Sequence, residues 1–155
     1  MAALIISGAS VEAKRPRRET LTRFNVLSVS PVPRDHLMLR HILDAGLWQI
    51  SAVATRREAI ERLGVSAVSV VVCESVLEDG TWKDILEHNQ SSPYAPPLIV
   101  TSRLADEYLW AEVLNLGGYD VLPKPFNDKE VRHVLQTVWL QQARDLPRVR
   151  AAGVA

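Results

Sequence analysis

The chain has 155 residues, of which 47% are hydrophobic, and its formal net charge at pH 7 is zero. This length and composition suit one domain with its own core. A single cysteine, Cys73, excludes an internal disulfide and a cysteine-based zinc site, and no apolar run approaches the roughly 20 residues that a membrane span needs. The sequence therefore predicts a cytoplasmic protein without a membrane partner.

Charge is distributed unevenly along the chain. Residues 1–23 carry five basic and two acidic side chains, residues 144–155 carry three basic and one acidic, and the segment between them has more acidic than basic residues. Neither end shows the apolar periodicity of a packed element. We therefore expect residues 1–23 and 144–155 to be basic flexible tails on either side of a domain at 24–143.

Strand-like and helix-like segments alternate through this domain. Apolar runs predict five strands, at residues 24–30, 48–53, 67–73, 98–101 and 119–122. Helical spacing of apolar residues predicts five helices, which begin near residues 33, 55, 81, 105 and 127. Thr55 and Glu58 form a capping-box pattern, Asn127 precedes an acidic first turn, and Gly46 closes the first helix. The alternation predicts an α/β fold with a parallel five-stranded sheet and right-handed crossovers.

The last predicted strand runs directly into Pro123, Lys124 and Pro125. Each proline ring fixes its own φ at about −65° and biases the preceding residue toward extended geometry. Lys124 is therefore held at a set angle at the carboxyl end of the strand. In open α/β sheets this end is where ligands bind.

Three motifs give residues 24–140 a resemblance to the receiver domains of bacterial response regulators. They are Lys124-Pro125-Phe126 after the fifth strand, Val100-Thr101-Ser102 at the end of the fourth, and the turn Leu77-Glu78-Asp79-Gly80 after the third. The resemblance implies a flavodoxin-like (βα)5 three-layer sandwich with strand order 2-1-3-4-5. It also implies a role in two-component signal transduction.

In receivers, two acidic residues after the first strand and an aspartate after the third surround Mg²⁺, and the aspartate accepts a phosphoryl group. The resemblance places Ser30 and Pro31 at the acidic pair and Glu74 at the phosphoacceptor. A serine hydroxyl is a weak ligand and proline has no side-chain oxygen, whereas Mg²⁺ needs octahedral hard oxygens. The extra methylene of Glu74 also displaces its carboxylate by about 1 Å, which is costly in phosphoryl transfer. We expect Mg²⁺ binding to be lost, phosphorylation to be negligible and no cofactor to bind.

The readout residues of the family are present. The resemblance matches Thr101 to the hydroxyl that turns toward the phosphate and Lys124 to the cation that pairs with it. One interpretation is that Glu74 supplies a permanent negative charge and pairs with Lys124, which fixes a pseudo-receiver in one state. The alternative is that Glu74 and Lys124 point separately into water, where a pair contributes only about 0–1 kcal/mol.

A partner surface is predicted on the fourth helix, the fifth strand and the last helix, and the same face is a candidate homodimer interface. Trp110 lies among acidic neighbours in the fourth helix, so it is a candidate contact anchor, with core packing as the alternative. Val121 occupies the position of the family's aromatic switch and is the second candidate residue on this surface. Tyr119, two residues earlier, is assigned to packing.

Cys73 and the four histidines have less specific patterns. Cys73 has no neighbouring base that would activate it, so it is predicted to be a small buried hydrophobic residue. The histidines lack metal-ligand spacing and are predicted to lie at the surface, at positions 36, 41, 88 and 133.

Three functions follow from these patterns. The first is a stand-alone receiver-like protein that signals through phosphorylation-independent protein–protein contacts and is not an enzyme. The second is a phosphorylatable response regulator with Mg²⁺-dependent phosphotransfer, against which Ser30 and Pro31 argue. The third is nonspecific, salt-dependent nucleic-acid binding through the basic ends, since no specific nucleic-acid motif follows the domain.

Overall fold

The computed structural model describes residues 24–43 and 47–154, with side chains as far as Arg144. The predicted basic tail at 1–23 and the helix-closing Gly46 lie outside the described residues. Within them the strands are β1 (Phe24–Val29), β2 (Trp48–Val53), β3 (Val70–Glu74), β4 (Val76–Leu77), β5 (Gly80–Thr81), β6 (Leu98–Ser102) and β7 (Asp120–Pro123). The helices are α1 (Pro33–Ile42), α2 (Arg56–Val65), α3 (Trp82–Gln90), α4 (Glu107–Leu116) and α5 (Asp128–Val154).

Five of the strands form one parallel sheet in the order β2-β1-β3-β6-β7. Numbered among themselves, these strands have the order 2-1-3-4-5, so the flavodoxin-like prediction is confirmed. The remaining strands, β4 and β5, pair as a short antiparallel hairpin around the predicted turn Leu77-Glu78-Asp79-Gly80.

The sheet has a hydrophobic core on each face because side chains alternate along each strand. In β3, Val71 and Cys73 face the layer of α2, α3 and α4, whereas Val70 and Val72 face the layer of α1 and α5. All four side chains are at most 2% exposed, which explains why this strand reads as one continuous apolar run. The alternation also decides which polar side chains at the strand ends point toward α1.

Two of the predicted helix caps are present. The Thr55 side chain accepts a hydrogen bond from the backbone N–H of Glu58, whose carboxylate accepts one from the backbone N–H of Thr55, so the capping box is confirmed. The Asn127 side chain accepts from the backbone N–H of Glu130 at 3.0 Å. These bonds satisfy N–H groups that have no partner inside the helix and so fix where α2 and α5 begin.

The turn of the β4–β5 hairpin is anchored to the start of α2. The two carboxylate oxygens of Asp79 accept from the backbone N–H groups of Arg56 and Arg57 at 2.7 and 3.0 Å. The bond from Arg56 is the main reason that the pKa of Asp79 is lowered. A Cβ at Gly80 would lie 2.5 Å from an oxygen of the Asp84 side chain, so a larger residue here would have to displace that carboxylate from its hydrogen bond with the backbone N–H of Thr81.

The last helix differs from its predicted boundary. α5 continues to Val154, whereas the sequence predicts that a tail begins at residue 144. The flexibility of this basic end stays a prediction, because its side chains beyond Arg144 lie outside the described residues.

Candidate functional site

Four side chains meet at the carboxyl ends of β3, β6 and β7, beside the first turn of α1. The Nζ atom of Lys124 lies 2.7 Å from Oε1 of Glu74 and 2.7 Å from Oδ2 of Asp35. The Thr101 hydroxyl donates a hydrogen bond to the same Oε1 atom of Glu74 at 2.9 Å. We refer to these four residues as the Lys124 cluster.

Strand periodicity explains why the cluster forms on this side of the sheet. Glu74 and Thr101 are paired in the register of β3 and β6, so their side chains are neighbours. Each lies an even number of residues from a side chain that packs beneath α1 and α5, namely Val72 and Ile99. Both therefore point toward α1, whose first turn carries Asp35.

The ion pairs of the cluster are largely shielded from water. The side chains of Lys124, Asp35 and Glu74 are 8%, 12% and 15% exposed, so the pairing is not that of two solvated surface groups. Burial alone would lower the pKa of Lys124, but hydrogen bonds and charges from Asp35 and Glu74 outweigh it and raise that pKa. The structure thus brings Glu74 and Lys124 together, as one of the two sequence interpretations required.

Asp35 was missed by the sequence analysis. Its Oδ2 atom accepts a hydrogen bond from the Ser30 hydroxyl at 2.6 Å in addition to its contact with Lys124. The Ser30 oxygen accepts in turn from the backbone N–H of Val32 at 3.1 Å. Ser30 therefore positions Asp35 by a hydrogen bond. Asp35 in turn brings a carboxylate to a site where Ser30 itself offers only a neutral hydroxyl.

His36, next to Asp35, is buried, so the prediction that it lies at the surface is wrong. Its Nε2 atom is 3.0 Å from the carbonyl oxygen of Ser30, and its Nδ1 atom is 2.7 Å from the Ser28 hydroxyl. Because a carbonyl only accepts, Nε2 carries the proton and Nδ1 accepts from Ser28. Strand alternation directs the Ser28 hydroxyl toward α1, and the two hydrogen bonds hold the imidazole in the interior. The other three histidines are exposed, as predicted.

Stability is expected to fall on mild acidification because of His36. Burial is the largest effect on this imidazole and lowers its pKa below 6.5, although the Ser30 carbonyl and Asp35 partly oppose it. A histidine with a lowered folded-state pKa stabilises the fold above its unfolded pKa, and this contribution is lost as pH falls through the folded value. Urea unfolding between about pH 7.5 and 5.5 should show this loss. His36→Gln should flatten the pH dependence, while the exposed control His133→Gln should retain it.

Cys73 is fully buried, as predicted. Burial raises the pKa of its thiol well above the ordinary range, with the adjacent Glu74 as a smaller cause. The thiolate is the reactive form of cysteine, so this residue is a packing group and not a nucleophile.

The residues at this site do not fit Mg²⁺. The Ser30 hydroxyl is already engaged with Asp35 and Val32, Pro31 offers no side-chain oxygen, and the Lys124 ammonium lies between the two carboxylates. A divalent cation at those carboxylates would have to displace the ammonium and complete its shell with few protein oxygens. Across the described part of the chain, no group of three or more His, Cys, Asp or Glu side chains is arranged to hold a metal ion.

The two candidate partner residues have different environments. Trp110 is 39% exposed, which is compatible with a contact role. Val121 is 1% exposed and packs in the core with Val113 beneath α4, so its prediction as a surface residue is wrong. The reason is its place in β7, where odd-numbered side chains face the α2–α4 layer and even-numbered ones, such as Leu122, face the other.

Known proteins resemble the chain in fold more than in sequence. No family model matches it. The probable transcriptional regulatory protein y4xI of Sinorhizobium fredii is 30% identical over 93 residues, which cover 60% of this chain. The match spans 41% of that protein, so the chain corresponds to about two fifths of the relative's length.

Solved receiver domains superimpose on most of the chain. The receiver domain of a putative Luxo repressor protein from Vibrio parahaemolyticus has a TM-score of 0.75 at 20% identity and covers 82% of this chain and 97% of its own. That of an HD domain-containing protein from Pseudomonas fluorescens has a TM-score of 0.73 at 20% identity, with coverages of 82% and 94%. Chemotaxis response regulator CheY4 of Vibrio cholerae reaches 0.68 at 22% identity, with 76% and 99%. The chain has the CheY-like fold of response-regulator receiver domains.

No helix in the described ranges is both long enough and apolar enough to cross a bilayer.

Proposed function

We propose that this protein is a cytoplasmic receiver-like signalling module that acts through phosphorylation-independent protein contacts and not as an enzyme. The observation that carries the proposal is the position of the Lys124 ammonium between Asp35 and Glu74, each at 2.7 Å. In a receiver, a lysine and a hydroxyl respond to a phosphoryl group. Here Lys124 and Thr101 are already bound to a carboxylate of the protein itself.

The chemistry of Glu74 supports the same proposal. Its Oε1 atom accepts hydrogen bonds from both Lys124 and Thr101, which stabilise the carboxylate and make it a weaker nucleophile. An incoming phosphoryl group would also meet the net negative charge of two carboxylates and one ammonium, without a metal to offset it. Phosphotransfer at Glu74 is therefore disfavoured both by charge and by the hydrogen bonds.

A small phosphodonor tests this proposal directly. The full chain is incubated with acetyl phosphate and millimolar Mg²⁺ and its intact mass is measured, beside a receiver domain known to be phosphorylated as a positive control. We expect no phosphorylated species and no change in melting temperature on adding Mg²⁺. An acyl phosphate at Glu74 would instead establish a phosphorylatable response regulator.

We place the partner surface on α4. Several large apolar side chains of α4 are exposed, and Trp110 and Leu114, at 39% and 49%, lie four residues apart on one side of the helix. The other side is tied to α3 by a salt bridge between Lys83 and Glu112. Exposed apolar side chains clustered on one helix are typical of a protein contact site.

Trp110→Ala is expected to weaken partner binding about 30-fold, because a buried tryptophan anchor contributes about 2 kcal/mol or more to an interface. Leu37→Ala is the matched control, since Leu37 is also exposed, at 62%, but lies on α1 on the opposite face of the sheet. A pull-down from the native cytoplasm measures heterologous partners, and sedimentation equilibrium measures self-association. Equal binding by the two variants would move the partner surface away from α4.

A further inference from the structure

A cleft of about 440 Å³ opens next to the Lys124 cluster, between α1 and the loops that follow β6 and β7. This volume falls within the range of small-molecule sites in proteins, roughly 300–1,000 Å³. Asp35 and Lys124 form one part of its wall, but they belong to the Lys124 cluster, which together with Glu74 carries one net negative charge. The remaining lining residues distinguish the cleft from that cluster.

Two arginines give the cleft a positive charge. Arg34, in the first turn of α1, and Arg103, just after β6, both line it. Among the described residues, neither guanidinium forms a salt bridge, although the segment at 24–143 has more acidic than basic residues. Carboxylates are thus plentiful on this domain, yet none of those that the structure describes forms a salt bridge with either arginine. Guanidinium groups in such a position bind carboxylate, sulfonate or phosphate groups.

The rest of the lining is apolar. Met38 from α1, together with Pro125 and Phe126 after β7, complete the wall. Phe126 is partly buried against the core, so its ring is held in place, while the flexible thioether of Met38 adapts to different shapes. An inorganic anion would satisfy the arginines and leave this apolar surface in contact with water. The lining suits a ligand that has both an anionic group and an apolar body.

We propose that this cleft binds a small organic anion, in which an acidic group is joined to an aromatic or aliphatic body. The acidic group lies between Arg34 and Arg103, and the body lies against Met38 and Phe126. Binding of this anion does not require Glu74 to be phosphorylated or unphosphorylated. The proposal can therefore be tested separately from the proposed function.

Naphthyl phosphate is a suitable probe, because it combines an aromatic body with a phosphate. Calorimetric titration of the full chain should give saturable one-to-one binding that weakens as salt is added. Inorganic phosphate and the neutral naphthalene methanol should each bind at least about tenfold more weakly, because each lacks one half of the recognised chemistry.

Arg34→Gln and Arg103→Gln should each weaken naphthyl phosphate binding at least about tenfold, as expected for the loss of a charge-assisted hydrogen bond. Arg40→Gln is the control, because Arg40 is exposed on the same helix but does not line the cleft. Both lining arginines are exposed, so their replacement should leave the circular dichroism spectrum unchanged. Absence of saturation at millimolar probe, or an unchanged affinity in the variant lacking both arginines, would overturn the proposal.

Discussion

Lys124→Met is expected to lower the free energy of unfolding by about 3 kcal/mol, because it leaves two largely buried carboxylates without their counter-ion. Asp35 and Glu74 each lie 2.7 Å from the same ammonium nitrogen, so without it their negative charges face each other at short range. Methionine preserves most of the apolar stem of lysine, which limits the loss of packing. The expected loss is therefore mainly electrostatic.

Urea unfolding at neutral pH measures this loss, and the melting temperature should fall by about 10 °C. Lys129→Met is the matched control, because Lys129 is exposed in the first turn of α5, and its replacement should change stability by no more than about 0.5 kcal/mol. If the two variants were equally stable, the Lys124 cluster would contribute no more than an exposed ion pair does.

The fold followed from the sequence because its signals are local. The apolar run that became β3, the capping box at the start of α2 and the prolines around Lys124 each depend on residues close together in the chain. Such signals fix the type and order of elements, and the order of a parallel α/β sheet then brings the strand ends together. The resemblance to receivers placed Glu74, Thr101 and Lys124 at those ends, where the structure has them.

Asp35 escaped prediction because its role depends on a long-range contact. It lies 89 residues from Lys124 in the chain, and an acidic residue in the first turn of a helix is ordinary, since it interacts well with the helix dipole. One signal was available, however. Strand alternation directs Ser30, Glu74 and Thr101 toward α1, so a polar residue on the inward side of its first turn was a candidate to meet them.

Asp35 also changes the physical reason for the expected loss of Mg²⁺. From the sequence alone, this loss follows from the missing oxygen ligands at Ser30 and Pro31. In the structure, Asp35 of α1 supplies a second carboxylate, but the Lys124 ammonium lies between this carboxylate and that of Glu74. The charge that a metal would carry in a receiver is thus supplied in part by the chain itself. This arrangement gives the carboxylates a structural role that can be separated from any phosphotransfer.

Removing both carboxylates is expected to cost more than the sum of the two single changes. In Asp35→Asn or Glu74→Gln, the ammonium keeps one counter-ion, so each should lower the free energy of unfolding by about 1 kcal/mol. In the variant that carries both changes, a buried ammonium has no counter-ion, and the loss should reach about 3–4 kcal/mol. Urea unfolding of the four proteins gives the coupling energy, which we expect to exceed about 1 kcal/mol. Additive losses would contradict the shared role of Lys124.

The pH dependence of the free energy of unfolding in the same variants shows whether an unpaired Lys124 ammonium causes the loss of stability. With both carboxylates present, the pKa of Lys124 is raised in the folded protein above its ordinary value of 10.5. Its contribution to stability is therefore complete below pH 10.5 and is lost only as the pH rises through the folded-state pKa. Without them, burial remains and lowers this pKa, so the sign reverses and stability should increase from about pH 7 to about pH 9. Adding Lys124→Met to the variant with both changes should abolish this increase and recover most of the lost stability, because no buried charge is then left unpaired. A similar loss at both pH values would instead indicate altered packing.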